Sequence, residues 1–173
     1  MYALELINDY RGANGVPPLR LGDNEAAQVH AEDALRNLYS AYWTTDGLTS
    51  EMLYNQHGGT GYVNPKWGGS GYFTASVIAQ CKSPRVRCEK VNPRRVTKGY
   101  HERHAASITP GSYDIVVDTR WDTVNIGIAY TDLTFVIYEY FERSGTSYTR
   151  EPKIDGGYLT LEIVPKDRVP ISQ

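Results

Sequence analysis

The last third of the chain reads Val124-Asn125-Ile126-Gly127-Ile128-Ala129-Tyr130, then Thr131-Asp132-Leu133, then Phe135-Val136-Ile137-Tyr138-Glu139-Tyr140-Phe141. Two runs rich in β-branched and aromatic residues, joined by a short polar connection, predict an antiparallel hairpin. Tyr113–Asp118 and Tyr158–Val164 read as further strands, and Arg143–Gly157 as a polar loop. A sheet of this kind needs cover, and the rest of the chain offers helices.

In LELINDYRGAN, Leu4, Ile7, Tyr10 and Arg11 recur at helical spacing, and Gly15 supplies a C-terminal stop. Val16-Pro17-Pro18-Leu19 is extended, because each proline pushes the residue before it out of the α region. Asp23 or Asn24 is placed to cap a second helix running to about Leu38. Its stripe of Ala27, Ala31, Ala34, Leu35 and Leu38 predicts close packing, with His30 beside it as a structural or surface residue. Residues 47–56 suggest a short helix, and Tyr72–Gln80 and Pro93–Ser107 two more. His57–Gly61 and Gly68–Gly71 read as irregular loops. Neither run fits a phosphate-cradling pattern leading from strand to helix.

Helices first, a glycine-rich middle and strands last give an α+β class, an antiparallel sheet covered by helices. With no internal repeat and no linker, residues 1–165 are expected to form one domain, and 166–173 a C-terminal tail.

The net charge of −2 argues against nucleic acid as a main partner. Charge is locally uneven. From Lys82 to Arg103 there are eight Lys/Arg against two acids, Glu89 and Glu102. That segment is either a solvated basic face or a docking patch for an anionic partner. Fourteen tyrosines against three phenylalanines suit surfaces that are half packed and half wet. No apolar run approaches the ~18–20 residues that span a bilayer. Met1-Tyr-Ala-Leu-Glu shows no basic region followed by an apolar core, so no secretory signal is visible.

Cys81 and Cys88 are the two cysteines. On one straight helix they would stand about 10 Å apart along the axis, too far to bridge. Ser83-Pro84 between them should break a helix and let the chain fold back. A disulfide and two free thiols both remain open.

The opening LINDYRGANGVPPLRLGDNEAAQVHAEDALRN resembles that of the CAP superfamily, which comprises cysteine-rich secretory proteins, antigen 5, pathogenesis-related 1 proteins and many prokaryotic members. Asn8, Arg11, Gly15, Pro18-Leu19, Ala27, His30 and Ala31 match the opening pattern. WTTDGLTSEMLYNQHGGTGYV resembles the middle segment of prokaryotic members, and VNIGIAYTDLTFVIYEYFE their closing strands. The resemblance covers about residues 4–142. It implies an α-β-α sandwich, an extracellular or cell-surface location, and a central groove with two histidines and two acidic residues.

Matched one position at a time, that tetrad is depleted. Tyr42, in Ala41-Tyr42-Trp43, stands where prokaryotic members have the first histidine. Pro65 stands at the first glutamate, and His104 is retained. Glu89 and Glu102 are candidates for the remaining acid. Proline brings no side-chain donor, and a neutral phenol is a weak ligand and a poor base at pH 7. With one imidazole left, the expected site has neither metal nor catalytic relay. Tyr42 and Trp43 are expected to form aromatic wall, with the Tyr42 hydroxyl on His104 or on a backbone group. His101 and His104 share a helical face at i, i+3, but no third ligand shows a supporting spacing. Gly-x-Ser-x-Gly is absent.

The reading that results is a secreted CAP-like binding domain for a protein, glycan or lipid, without cofactor. Its rivals are a metal-dependent or His-dependent hydrolase using His104, and an interaction module docking an anionic partner through residues 82–103.

Overall fold

The computed structural model describes the backbone of residues 2–144, 148–155 and 158–165, and the side chains of residues 2–144. The expected tail, 166–173, lies outside the described residues. The elements are α1 (Tyr2–Ala13), β1 (Arg20–Leu21), α2 (Ala26–Asn37), α3 (Ser50–Gln56) and β2 (Tyr62–Gly71). They continue with α4 (Ala75–Cys81), α5 (Pro93–Ser107), β3 (Thr123–Tyr130), β4 (Thr134–Arg143), β5 (Tyr148–Asp155) and β6 (Tyr158–Pro165). The chain is α+β. No described helix is long and apolar enough to cross a membrane.

The main sheet has the order β1-β3-β4-β2. The β3–β4 hairpin pairs Thr123 with Glu142 and Tyr130 with Phe135. β2 lies antiparallel along the other side of β4, with Lys66 opposite Glu139 and Pro65 opposite Tyr140. β1 adds two residues parallel to β3. β5 and β6 form a separate two-stranded sheet.

Strand alternation divides the main sheet between two cores. Val136, Tyr138 and Tyr140 face α2, where Ala26, Ala27, Ala31 and Ala34 are fully buried. Phe141 and Val124 face the other way, against Ile7 of α1, Leu19, Val116 and Trp121. Helices therefore cover both faces, and every residue of β4 from Thr134 to Phe141 is buried. The alanine stripe has a direct cause. A Cβ at Gly127 would lie 1.9 Å from the Ala27 carbonyl oxygen, so α2 touches the β3 backbone itself.

The opening motif builds the corner between α1 and β1. The Asn8 carboxamide clamps Leu19, donating to its carbonyl at 3.0 Å and accepting from its N–H at 2.8 Å. Buried Arg11 donates to the carbonyls of Pro17, Val116 and Asp118. Gly15 takes φ +72°, the left-handed conformation that lets the chain leave the helix. Asn24 caps α2 from just outside, its Oδ1 accepting from the Ala26 N–H at 3.0 Å.

Three sequence expectations are corrected. Gly68–Gly71 is not loop but the end of β2. Its glycines admit neighbouring rings: a Cβ at Gly68 would meet Tyr100 at 2.5 Å. Tyr113–Asp118 is not a strand but a series of turns, held by Asp114 and Asp118. Arg143–Gly157 contains the strand β5. Cys81, at the end of α4, is bonded to Cys88, with the Cα atoms 5.4 Å apart, after the chain turns back beyond Ser83-Pro84.

Candidate functional site

A groove of about 660 Å³ runs between β2 and α5. Asn64, Pro65, Lys66 and Trp67 form one wall. Tyr100, Arg103, His104 and Ser107 form the other, and Tyr113 and Ile115 close the end. Asn92 caps α5, accepting from the Arg95 N–H at 3.0 Å, and Pro93 sits in its first turn. The helical repeat then aligns Tyr100, Arg103, His104 and Ser107 along one face.

Of the residues singled out in the sequence, the groove gathers Pro65 and His104. It does not gather Tyr42, whose hydroxyl hydrogen-bonds Glu51 rather than His104. The expected Tyr42–His104 pairing is thus replaced on both sides. Tyr42 does serve as wall, its ring 5.9 Å from Trp67 and 5.5 Å from Trp43. Glu89 and Glu102 lie on the surface and pair with Arg95 and Lys98.

The acids that do stand behind the groove are Asp114 and Glu139, neither of them singled out beforehand. His104 Nε2 donates to Asp114 Oδ1 at 2.8 Å. Asp114 also accepts from the Tyr10 hydroxyl at 2.9 Å and from the Val116 N–H at 2.9 Å. Burial works to raise the Asp114 pKa, but these donors prevail and hold it below the usual carboxylate range. Glu139, fully buried, lies 2.8 Å from Lys66 Nζ and 3.0 Å from His101 Nε2. Burial opposes its charge, but Lys66 and His101 together outweigh burial, so its pKa is lowered. Lys66 Nζ also sits 3.8 Å above the Tyr100 ring. Burial, followed by the charge of Glu139, pushes the Tyr100 phenol well up, keeping it neutral.

The i, i+3 histidines of α5 are therefore divided between two carboxylates. His101 goes to Glu139 and His104 to Asp114, instead of converging on one ion. Among the described residues no group of three His, Cys, Asp or Glu is placed to hold a metal. Ser107, beside His104, gives its hydroxyl to the His104 carbonyl at 2.7 Å and not to the imidazole. A histidine–aspartate pair is present, but no hydroxyl is lined up on it as a nucleophile.

His30, away from the groove, is fully buried. Its Nδ1 shares a 2.6 Å hydrogen bond with the Tyr140 hydroxyl, and its ring stacks on Tyr138 at 3.9 Å. Of the basic segment 82–103, Lys90 pairs with Asp132, Arg95 with Glu89 and Lys98 with Glu102, while Arg94 stacks on Tyr2.

No protein-family model matches the chain, and no curated protein matches it. Among solved structures, an outer surface protein of Borrelia burgdorferi aligns over 81% of this chain and 88% of its own, with a TM-score of 0.52 at 13% identity. An extracellular protein containing an SCP domain, from Bacillus anthracis, aligns over 82% of this chain and 39% of its own, with a TM-score of 0.48 at 14% identity. The first of these likenesses establishes a shared fold. The layering of helices on both faces of the sheet is the one that the sequence resemblance implied, with Asn8, Arg11 and Gly15 at its corner. The fold is α+β, with a helical layer on each face of the sheet. His104 is the one histidine lining the groove, and the acids behind it, Asp114 and Glu139, are engaged in internal pairs.

Proposed function

We propose that this is an extracellular CAP-like domain, spanning residues 1–165, that binds a ligand in the groove between β2 and α5 and does not catalyse. The observation carrying this reading is the commitment of both nearby carboxylates. Asp114 holds His104, Tyr10 and the Val116 N–H, and Glu139 holds Lys66, with His101 Nε2 3.0 Å from its other oxygen. A cation or an activated water would have to break one of these sets. Breaking a buried ion pair costs about 3–5 kcal/mol. The extracellular assignment is supported by the sequence resemblance and by the shared fold with an outer surface protein of Borrelia burgdorferi.

Thermal unfolding with and without Zn²⁺ or Mg²⁺ tests the proposal. A ligand that binds the native state raises its stability by mass action. The expected result is no shift. A shift that disappears in His104→Ala would overturn the reading in favour of a metal site.

One observation favours a second reading, His-dependent hydrolysis: the His104–Asp114 hydrogen bond is of the kind that orients a general base. Turnover of ester or peptide substrates that is abolished by His104→Ala, with folding intact, would establish it.

A further inference from the structure

The unspent groups of the groove have a definite chemistry. Two cations line it, Lys66 and Arg103, together with His104 and with no acidic side chain. Lys66 is neutralised by Glu139. Arg103 is exposed, and among the described residues it pairs with no carboxylate. The Asn64 carboxamide lines the groove beside them. Tyr113, at the groove's end, is 58% exposed, and its ring is fixed in place by a 2.9 Å hydrogen bond from its hydroxyl to Asp118.

We infer that the groove takes a carboxylate-bearing sugar, the uronic-acid class of oligosaccharide, with Arg103 gripping the carboxylate. This deepens the binding reading and rests on it. A guanidinium matches a carboxylate with two parallel N–H donors. Asn64 offers donor and acceptor atoms for hydroxyls. A fixed, exposed tyrosine ring packs against the apolar C–H face of a pyranose at little entropic cost.

An acidic peptide fits less well. The natural mode for a peptide beside an edge strand is to extend the sheet along β2. Proline in an edge strand turns its donor-less nitrogen toward the open side, so at Pro65 an added strand would lack a ladder bond. A fatty acyl chain fits less well again, because Asn64, Lys66, Arg103, His104 and Ser107 put polar groups along the groove's length.

The test is calorimetric titration of the whole chain with trigalacturonate, with maltotriose as the neutral trisaccharide and triglutamate as an acidic peptide. Amide chemical shifts of Asn64, Arg103 and Tyr113 report where each probe binds. Trigalacturonate is expected to bind saturably, with shifts confined to the groove, and at least about tenfold more tightly than either other probe. Arg103→Gln, at an exposed position, should weaken it by about tenfold or more. Glu102→Gln, next along the helix but outside the groove, should leave it unchanged.

Equal binding of maltotriose would overturn the carboxylate requirement. Equal or tighter binding of triglutamate in the groove would overturn the sugar assignment but leave the groove as a binding site. Absence of saturable binding by trigalacturonate overturns this inference alone. Trigalacturonate binding whose shifts fall outside the groove would sink the groove reading with it.

Discussion

His30 Nδ1 and the Tyr140 hydroxyl stand 2.6 Å apart in the layer between α2 and the sheet. Burial, the dominant cause, pulls the His30 pKa from 6.5 to about 4. The unfolded chain therefore takes up a proton below about pH 6.5 that the folded chain refuses until about pH 4. Linkage then makes stability independent of His30 above that window and lowers it as pH falls through it. Urea midpoints at pH 7 and pH 5 should differ more for the natural protein than for His30→Gln. Equal differences would show that His30 is not the group responsible.

Glu139 is the only carboxylate among the described residues that lies within ion-pair distance of Lys66. Glu139→Gln leaves that ammonium without a counter-charge inside the protein. The expected loss is about 3 kcal/mol of unfolding free energy. By contrast, Glu89→Gln and Glu102→Gln break exposed pairs and should each cost less than about 1 kcal/mol. Denaturant titration of the three variants reads this contrast directly.

Asp114 ties three elements together through Tyr10, His104 and the turn at Val116. Asp114→Ala should cost about 2 kcal/mol, and Tyr10→Phe about 1 kcal/mol, since it removes a single hydrogen bond. The double variant should cost less than the sum, because both changes delete the same contact. Strict additivity would show that Tyr10 and Asp114 act independently.

Gly127→Ala places a methyl group against the backbone of α2, which no rotamer change can relieve. A loss of about 3 kcal/mol is expected, the upper part of the overpacking range. A thermal midpoint within a degree of the natural protein would mean that α2 can shift freely on the sheet.

The Cys81–Cys88 bond closes a short loop, and loop-closure entropy puts its contribution at about 2 kcal/mol. The denatured protein should show no titratable thiol without reductant. Cys81→Ser/Cys88→Ser should lower the denaturant midpoint without altering the shifts of Asn64 or Tyr113 across the groove.

Periodicity made the framework legible. α1, α2 and the β3–β4 hairpin each carry an apolar repeat, and the sequence resemblance supplied the layer order. β2 was not legible, because Gly68 and Gly69 give up β propensity to admit Tyr100 and Phe73, and glycine pairs read as loop. Ile115-Val116-Val117 passes for a strand as a β-branched run, whereas Asp114 accepts from the Val116 N–H and makes a turn.

In the site, His104 was found through the resemblance. Asp114 was missed because it lay inside the supposed strand. Glu139 was missed because a charged residue alternating in a strand ordinarily faces water. In β4 both faces are covered, so alternation leads to a second core. The signal was present in the unbroken apolar and aromatic surroundings of that one acid.

The sheet order carries a consequence for synthesis. β1 and β2, its two outermost strands, leave the ribosome first, while β3 and β4, which must lie between them, emerge more than fifty residues after β2. Until then neither early strand has a neighbour to pair with. The nascent chain must hold both in waiting, and a truncation before residue 123 would release a chain whose sheet has flanks and no middle.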